Sequence, residues 1–193
     1  MTGSAGDSAG ADFWAVPPEQ EPQAAIARPP RYGSRSIADV MTSAAAAIGA
    51  EGFEDVLGLP ASQRMVVVLV DGLGLEQLEA RSSYAPFLRG AEDLGELDAA
   101  FPSTTASSLA ALGTGLPVGV HGLTGYDSYS PQLGQTVNML GGWDPRVDAL
   151  VWQPRDTVLQ RLEAQGLDAV TVSRGKFQDS ALTRAALRGG RFV

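Results

Sequence analysis

The sequence predicts an α/β fold with a mostly parallel sheet flanked by helices. The first observation is Met65-Val66-Val67-Val68-Leu69-Val70, an unbroken apolar, mostly β-branched run that stops at Asp71-Gly72. A strand apolar on both faces belongs inside a parallel sheet covered on both sides. The second is a like run at Asp168 to Ser173, with Arg191-Phe192-Val193 as the start of another. The third is the alternation of these runs with helical patterns, without any long-period repeat. A last strand of two or three residues makes the expected fold an incomplete one.

Taken in order, residues 1–35 are rich in Gly, Ser, Ala, Pro and acidic residues, and read as a disordered or loosely packed tail that Phe13 and Trp14 pin in part. Residues 36–193 form the domain. Ser36 is an N-cap candidate for a helix to about Ile48, with Ile37, Val40, Met41, Ala44 and Ile48 on one face and Gly49 at its end. A loop over 51–63 leads to the strand at 65–70. Gly72 and Gly74 turn the chain into a helix from Leu75 to Arg81, followed by a short one at Pro86–Arg89. Residues 95–101 read as a short strand. Thr104 or Thr105 caps a helix through Leu112, which Gly113 to Pro117 breaks. A Gly- and Tyr-rich loop covers 118–131, and 132–154 is irregular. Asp156-Thr157 caps a helix to Gln165, ended by Gly166, and Asp179 or Ser180 caps one through Leu187.

Composition limits the function. The chain has 193 residues, 44% hydrophobic and 19% charged, enough for one domain with a core. Its formal charge of −8 argues against a nucleic-acid partner, which needs a basic footprint. A small phosphate ester remains compatible, because a bound cation neutralises it locally. There is no cysteine, and His121 is the single imidazole, so any metal is held mainly by oxygen. The longest apolar run has six residues, against roughly 20 for a membrane-spanning helix. The expectation is a cytoplasmic protein with no membrane partner.

Asp71 sits where open α/β sheets keep their ligands, at the C-terminal end of a strand. It reads either as a metal ligand or nucleophile, or as the N-cap of the next helix. The aspartyl-nucleophile phosphatases need a second Asp two residues on, and Leu73 stands there. Thr104 and Thr105 lie at the start of a helix, where the helix end stabilises an alkoxide and the anion it attacks. A neighbouring divalent metal lowers a hydroxyl pKa. The competing reading is a plain N-cap. His121, in a Gly-rich turn, reads as a hydrogen-bonded structural residue. Tyr126, Tyr129, Trp143 and Trp152 read as core and rim. There is no phosphate-binding P-loop, no G-x-S-x-G elbow and no dinucleotide fingerprint.

Together these residues resemble the alkaline phosphatase superfamily, and within it the type I phosphodiesterase/nucleotide pyrophosphatase family. The likeness rests on Val70-Asp71-Gly72 after the apolar run, on Phe101-Pro102-Ser103-Thr104-Thr105, and on Gly113-Thr114-Gly115-Leu116-Pro117 followed by His121-Gly122. It covers residues 64–126. The resemblance implies an alkaline phosphatase-like fold, of which 36–193 is the N-terminal portion, and a metal-dependent phosphoric ester hydrolase. It further implies two Zn2+ ions in the complete domain, with at most one partial site here. Asp71 and Thr105 would contact metal, and Thr105 would be the nucleophile, forming a phosphothreonine that a metal-bound hydroxide releases. Nucleotide-cleaving members carry an aromatic residue after the nucleophile, where this chain has Ala106. The family's phosphate-holding Asn matches Tyr126, the substrate-binding candidate.

The family's remaining Asp and His ligands have no counterpart in the sequence, so the expectation is a fragment inactive by itself. The alternative is a non-catalytic α/β binding or interaction module. A sulfatase-like chemistry is disfavoured by Thr105 and the lack of cysteine.

Overall fold

The computed structural model describes residues 28–141 and 143–193. Most of the predicted tail, with Phe13 and Trp14, lies outside the described residues. The described residues have α/β character, with short helices and two small sheets. Its centre is helix α4 (Thr105–Thr114), which packs against α1 (Ala38–Ala47), α5 (Val118–His121), α7 (Val158–Ala164) and α8 (Ala181–Ala186). The sequence explains why one short helix reaches four neighbours. TASSLAALGT carries mostly small side chains, which let backbones approach, and its three alanines favour helix at little entropic cost. At Gly113 the approach is closest: a Cβ there would stand 1.9 Å from the Ala186 carbonyl oxygen. Gly115 then ends α4 in the left-handed conformation, φ 70°, and donates its N–H to Ala111.

Among the described residues three apolar clusters form the core, two of them built on this helix. Ala106 and Ala110 of α4 meet Leu123, Val137, Met139, Ala149, Ala185 and Ala186. Ala45, Val158, Leu159, Leu162 and Ala169 form a second cluster, and Ala38, Ala100, Ala111 and Val118 a third. Trp143 and Trp152 pack edge to face, 5.6 Å apart, at the rim of the first. Their indole N–H groups donate to the Met139 and Gly122 carbonyls.

The sheets are smaller than the sequence predicts. Strands β1 (Asp127–Ser130) and β2 (Gln135–Asn138) form an antiparallel hairpin, in segments read as loop and as irregular. Strands β3 (Val170–Thr171) and β4 (Arg191–Phe192) pair in parallel, two residues each. Residues 95–101 contribute only a bridge, Asp98 to Ser36.

The expected strand at Met65–Val70 is a correction. It is irregular, Val66 and Val68 are 83% and 79% exposed, and among the described residues the backbone of 64–69 makes no hydrogen bond. An apolar pattern reports what a segment can bury; a strand also needs neighbours to satisfy its N–H and C=O groups. Among the described residues no strand lies beside it.

The helices follow the sequence more closely. Helices α2 (Leu75–Ala80), α3 (Pro86–Arg89), α7 and α8 lie where expected; α5, in the segment read as a loop, and α6 (Ala149–Trp152) are additional. Thr157 and Ser180 are the caps of α7 and α8. Ser36 does not cap α1. The buried Asp39, in the first turn, accepts instead from the N–H groups of Gly33, Ser34 and Ser36 and from the Ser36 hydroxyl, and so ties down the chain that leads into the helix. Before it, Arg31 forks onto Asp98 at 2.8 and 2.9 Å and holds that carboxyl down at about 2. Among the described residues no helix is long and apolar enough to cross a membrane.

Candidate functional site

The loop after the apolar run and the N-terminus of α4 bring Asp71 and Thr105 together. The Thr105 hydroxyl stands 3.3 Å from Asp71 Oδ2 and 3.4 Å from Oδ1, across 34 residues of sequence. Asp71 is exposed and Thr105 half-buried. The N-cap reading of Asp71 does not hold, because the cap position of α2 falls on Gly74.

The two threonines separate by role. Thr104 is the N-cap of α4. Its hydroxyl oxygen accepts from the Ser107 N–H at 3.3 Å and pairs with the Ser107 hydroxyl at 2.8 Å. Thr105, one residue on, is the first helical residue and turns its hydroxyl to Asp71. Thr104 accepts the Ser108 N–H through its carbonyl. The N–H groups of Thr105 and Ala106 have no protein acceptor among the described residues. A hydroxyl thus stands beside two free amides at the positive end of a ten-residue helix, an arrangement that attracts an anion.

Tyr126 lies at the base of the hairpin, with no hydrogen bond to Asp71 or Thr105 among the described residues. Its ring is half exposed, and its carbonyl accepts the Met139 N–H at 2.8 Å. The preceding Gly125 lies against Pro102, since a Cβ on it would stand 3.8 Å from Pro102 Cγ. This ties the base of the hairpin to the segment that leads into Thr105.

His121 lies behind the site rather than in it. It is 1% exposed, and its Nδ1 accepts the Leu123 N–H at 3.1 Å. Burial pushes its pKa down to about 4, against a smaller opposing pull from its own carbonyl and that of Ser107. The ring is neutral at pH 7, with its proton on Nε2. The structural reading of His121 agrees with this setting. Sequence reasoning missed Ser107, buried beneath the Thr104 cap; the i to i+3 hydroxyl spacing after a Pro-Ser-Thr turn is its one signal.

The donor set does not amount to a metal centre. Asp71 and Thr105 supply a carboxylate and a hydroxyl, whereas zinc takes four ligands, or three plus water. Among the described residues no three His, Cys, Asp or Glu side chains converge. His121 is buried behind α4, with Nδ1 already engaged. Two zinc ions do not fit the residues described.

A family model described as type I phosphodiesterase / nucleotide pyrophosphatase matches residues 65–182. That span includes Asp71, Thr105, His121 and Tyr126. No curated protein and no solved structure matches the chain.

Proposed function

The chain belongs to the type I phosphodiesterase/nucleotide pyrophosphatase family, and from that premise we propose that it carries the nucleophile end of a phosphoric ester hydrolase site. One observation supports the reading above others: the Thr105 hydroxyl lies beside the Asp71 carboxylate at a helix N-terminus with two free amides. In the proposed reaction the phosphoryl group of a small ester rests against the amides of Thr105 and Ala106. The Thr105 O–H donates to Asp71, which orients the oxygen. Thr105 Oγ1 attacks phosphorus and passes its proton to Asp71, the bond to the ester's leaving oxygen breaks, and that oxygen takes up the proton. Water then attacks the phosphothreonine and returns the hydroxyl and a phosphate. Tyr126 contacts the substrate from the hairpin side.

The family is generally metal-dependent. A bound divalent cation supplies charge neutralisation and a lower hydroxyl pKa. Asp71 and Thr105 are two of the donors such a site needs, and the rest come from outside the described residues.

The test is an assay of the complete domain, with the missing donors present and zinc added, on an aryl phosphodiester and an aryl phosphomonoester. Thr105→Ala is expected to lower turnover by roughly 10³-fold or more. Turnover that survives Thr105→Ala rejects the nucleophile. Turnover indifferent to a chelator rejects the metal. A complete domain without turnover on either ester leaves the binding-module reading in its place.

A further inference from the structure

The C-terminal stretch carries a charge opposite to that of the whole chain. Residues 150–193 hold seven Lys and Arg against four Asp and Glu, whereas the chain is −8 overall. Three of those arginines, Arg184, Arg188 and Arg191, line one cavity of about 170 Å³ between α8, the turn after it and the β3–β4 pair. No carboxylate lines it. The nearby acids stand outside. Asp148 is 3.8 Å from Arg184 and Asp168 is 3.4 Å from Arg191, in exposed pairs of little worth. Glu163 accepts the Gly190 N–H at 3.2 Å. Among the described residues no carboxylate lies within 4.0 Å of Arg188. Its guanidinium donates instead to the Ala185 carbonyl at 2.9 Å and to the Arg155 carbonyl. Those carbonyls fix the group and leave its charge uncompensated. Burial lowers its pKa, against a smaller pull from Asp156.

Neutral donors complete the lining. The Thr171 hydroxyl and the Gln178 amide make no hydrogen bond among the described residues. The Thr183 hydroxyl accepts from Ser180 at 2.9 Å and keeps its own proton to donate. Gly189 and Gly190, at φ 99° and 68°, reverse the chain so that Arg191 meets Arg184 and Arg188 at one cavity. A Cβ on either glycine would strike backbone, of Gln160 and of Ala169. A cavity lined by cations and free donors suits an anion rich in acceptors. Its volume is below the roughly 300–1,000 Å³ of drug-sized pockets, and so suits a single phosphate group. We propose that this cavity binds a phosphate group, free or carried by a small molecule, with Arg184 and Arg191 forking onto its oxygens and Arg188 supplying a fixed charge. The proposal does not depend on the reading of Thr105. Helix α8 meets α4 at Gly113, eight residues beyond Thr105 and about 12 Å along the helix.

The experiment titrates the full 193-residue chain with inorganic phosphate at fixed ionic strength, with sodium chloride as the control, and follows amide and Arg Nε–H resonances by NMR. The Gly189 and Gly190 amides and the Nε–H signals of Arg184 and Arg191 are expected to move and saturate. In the double variant Arg184→Gln with Arg191→Gln, which alters two exposed side chains, affinity is expected to fall about tenfold or more. A repeat with phenyl phosphate identifies the source, and both of its outcomes support the site: tighter binding assigns the phosphate of a larger molecule, and binding no tighter assigns free phosphate. Absent shifts, shifts that chloride reproduces, or an affinity the double variant retains overturn the proposal. If the double variant fails to fold, the wild type decides alone: saturation by phosphate and not by chloride supports the site, and its absence overturns it. The Thr105 and Ala106 amides report the other anion-attracting position. Shifts confined to them overturn this proposal and leave the reading of Thr105 standing.

Discussion

Thr104 and Thr105 are adjacent in the chain and use their hydroxyls in different directions: Thr104 turns inward to Ser107 at 2.8 Å, and Thr105 outward to Asp71 at 3.3 Å. One hydroxyl holds the helix and the other is left available for chemistry. The two roles predict opposite profiles. Thr104→Ala loses an N-cap and is expected to cost about 1 kcal/mol. Thr105→Ala is expected to stay within about 0.5 kcal/mol of wild type. Equilibrium denaturation of the two variants checks this, through the midpoint at unchanged slope.

The contact of α4 with α8 predicts a larger effect. A methyl group at Gly113 would collide with the Ala186 carbonyl, which is backbone and cannot swing aside. Gly113→Ala is expected to destabilise by about 2–3 kcal/mol, within the usual range of overpacked sites. The same denaturation measurement reads it. A wild-type midpoint would mean that α4 and α8 are not in this contact.

His121 predicts a pH dependence whose sign follows from burial. Its pKa is lowered from 6.5 to about 4 in the folded chain, so the unfolded chain takes up the proton first. The stabilisation is fully present above pH 6.5 and is lost as pH falls towards 4, on the order of 3 kcal/mol at most. Stability measured between pH 7 and 4 should fall in wild type and flatten over that window in His121→Asn.

Much of this was legible because it is local. The caps of α7 and α8 and the break after α4 follow from hydroxyls and glycines nearby in the chain, while the pairing of Asp71 with Thr105, 34 residues apart, comes from the family resemblance. Three features were not. The β1–β2 hairpin hides in a polar segment, whose buried apolar residues are Val137 and the adjoining Met139. Asp39 ties the turn before α1 to the helix, through a fold of the chain that no spacing announces. Met65–Val70 has the composition of a buried strand, but pairing depends on strands elsewhere, and composition is silent about those.

The exposed run makes its own prediction. In this chain Val68 is already in water, so Val68→Ser is expected to change stability by no more than about 0.5 kcal/mol. An uncharged, β-branched segment with free backbone groups is also an aggregation hazard. The same variant should therefore lower light scattering at high concentration. A loss of 2 kcal/mol or more, the order of a buried apolar side chain, would show that the strand is packed after all.

The central claim is that Thr105 is the nucleophile, and trapping the covalent intermediate tests it most directly. The complete domain is turned over with zinc and an aryl phosphate ester, quenched in acid, and its peptides are mapped by mass spectrometry. The account predicts phosphate on Thr105 and none in Thr105→Ala. An active protein whose phosphate appears on Thr104 or on no residue at all contradicts it.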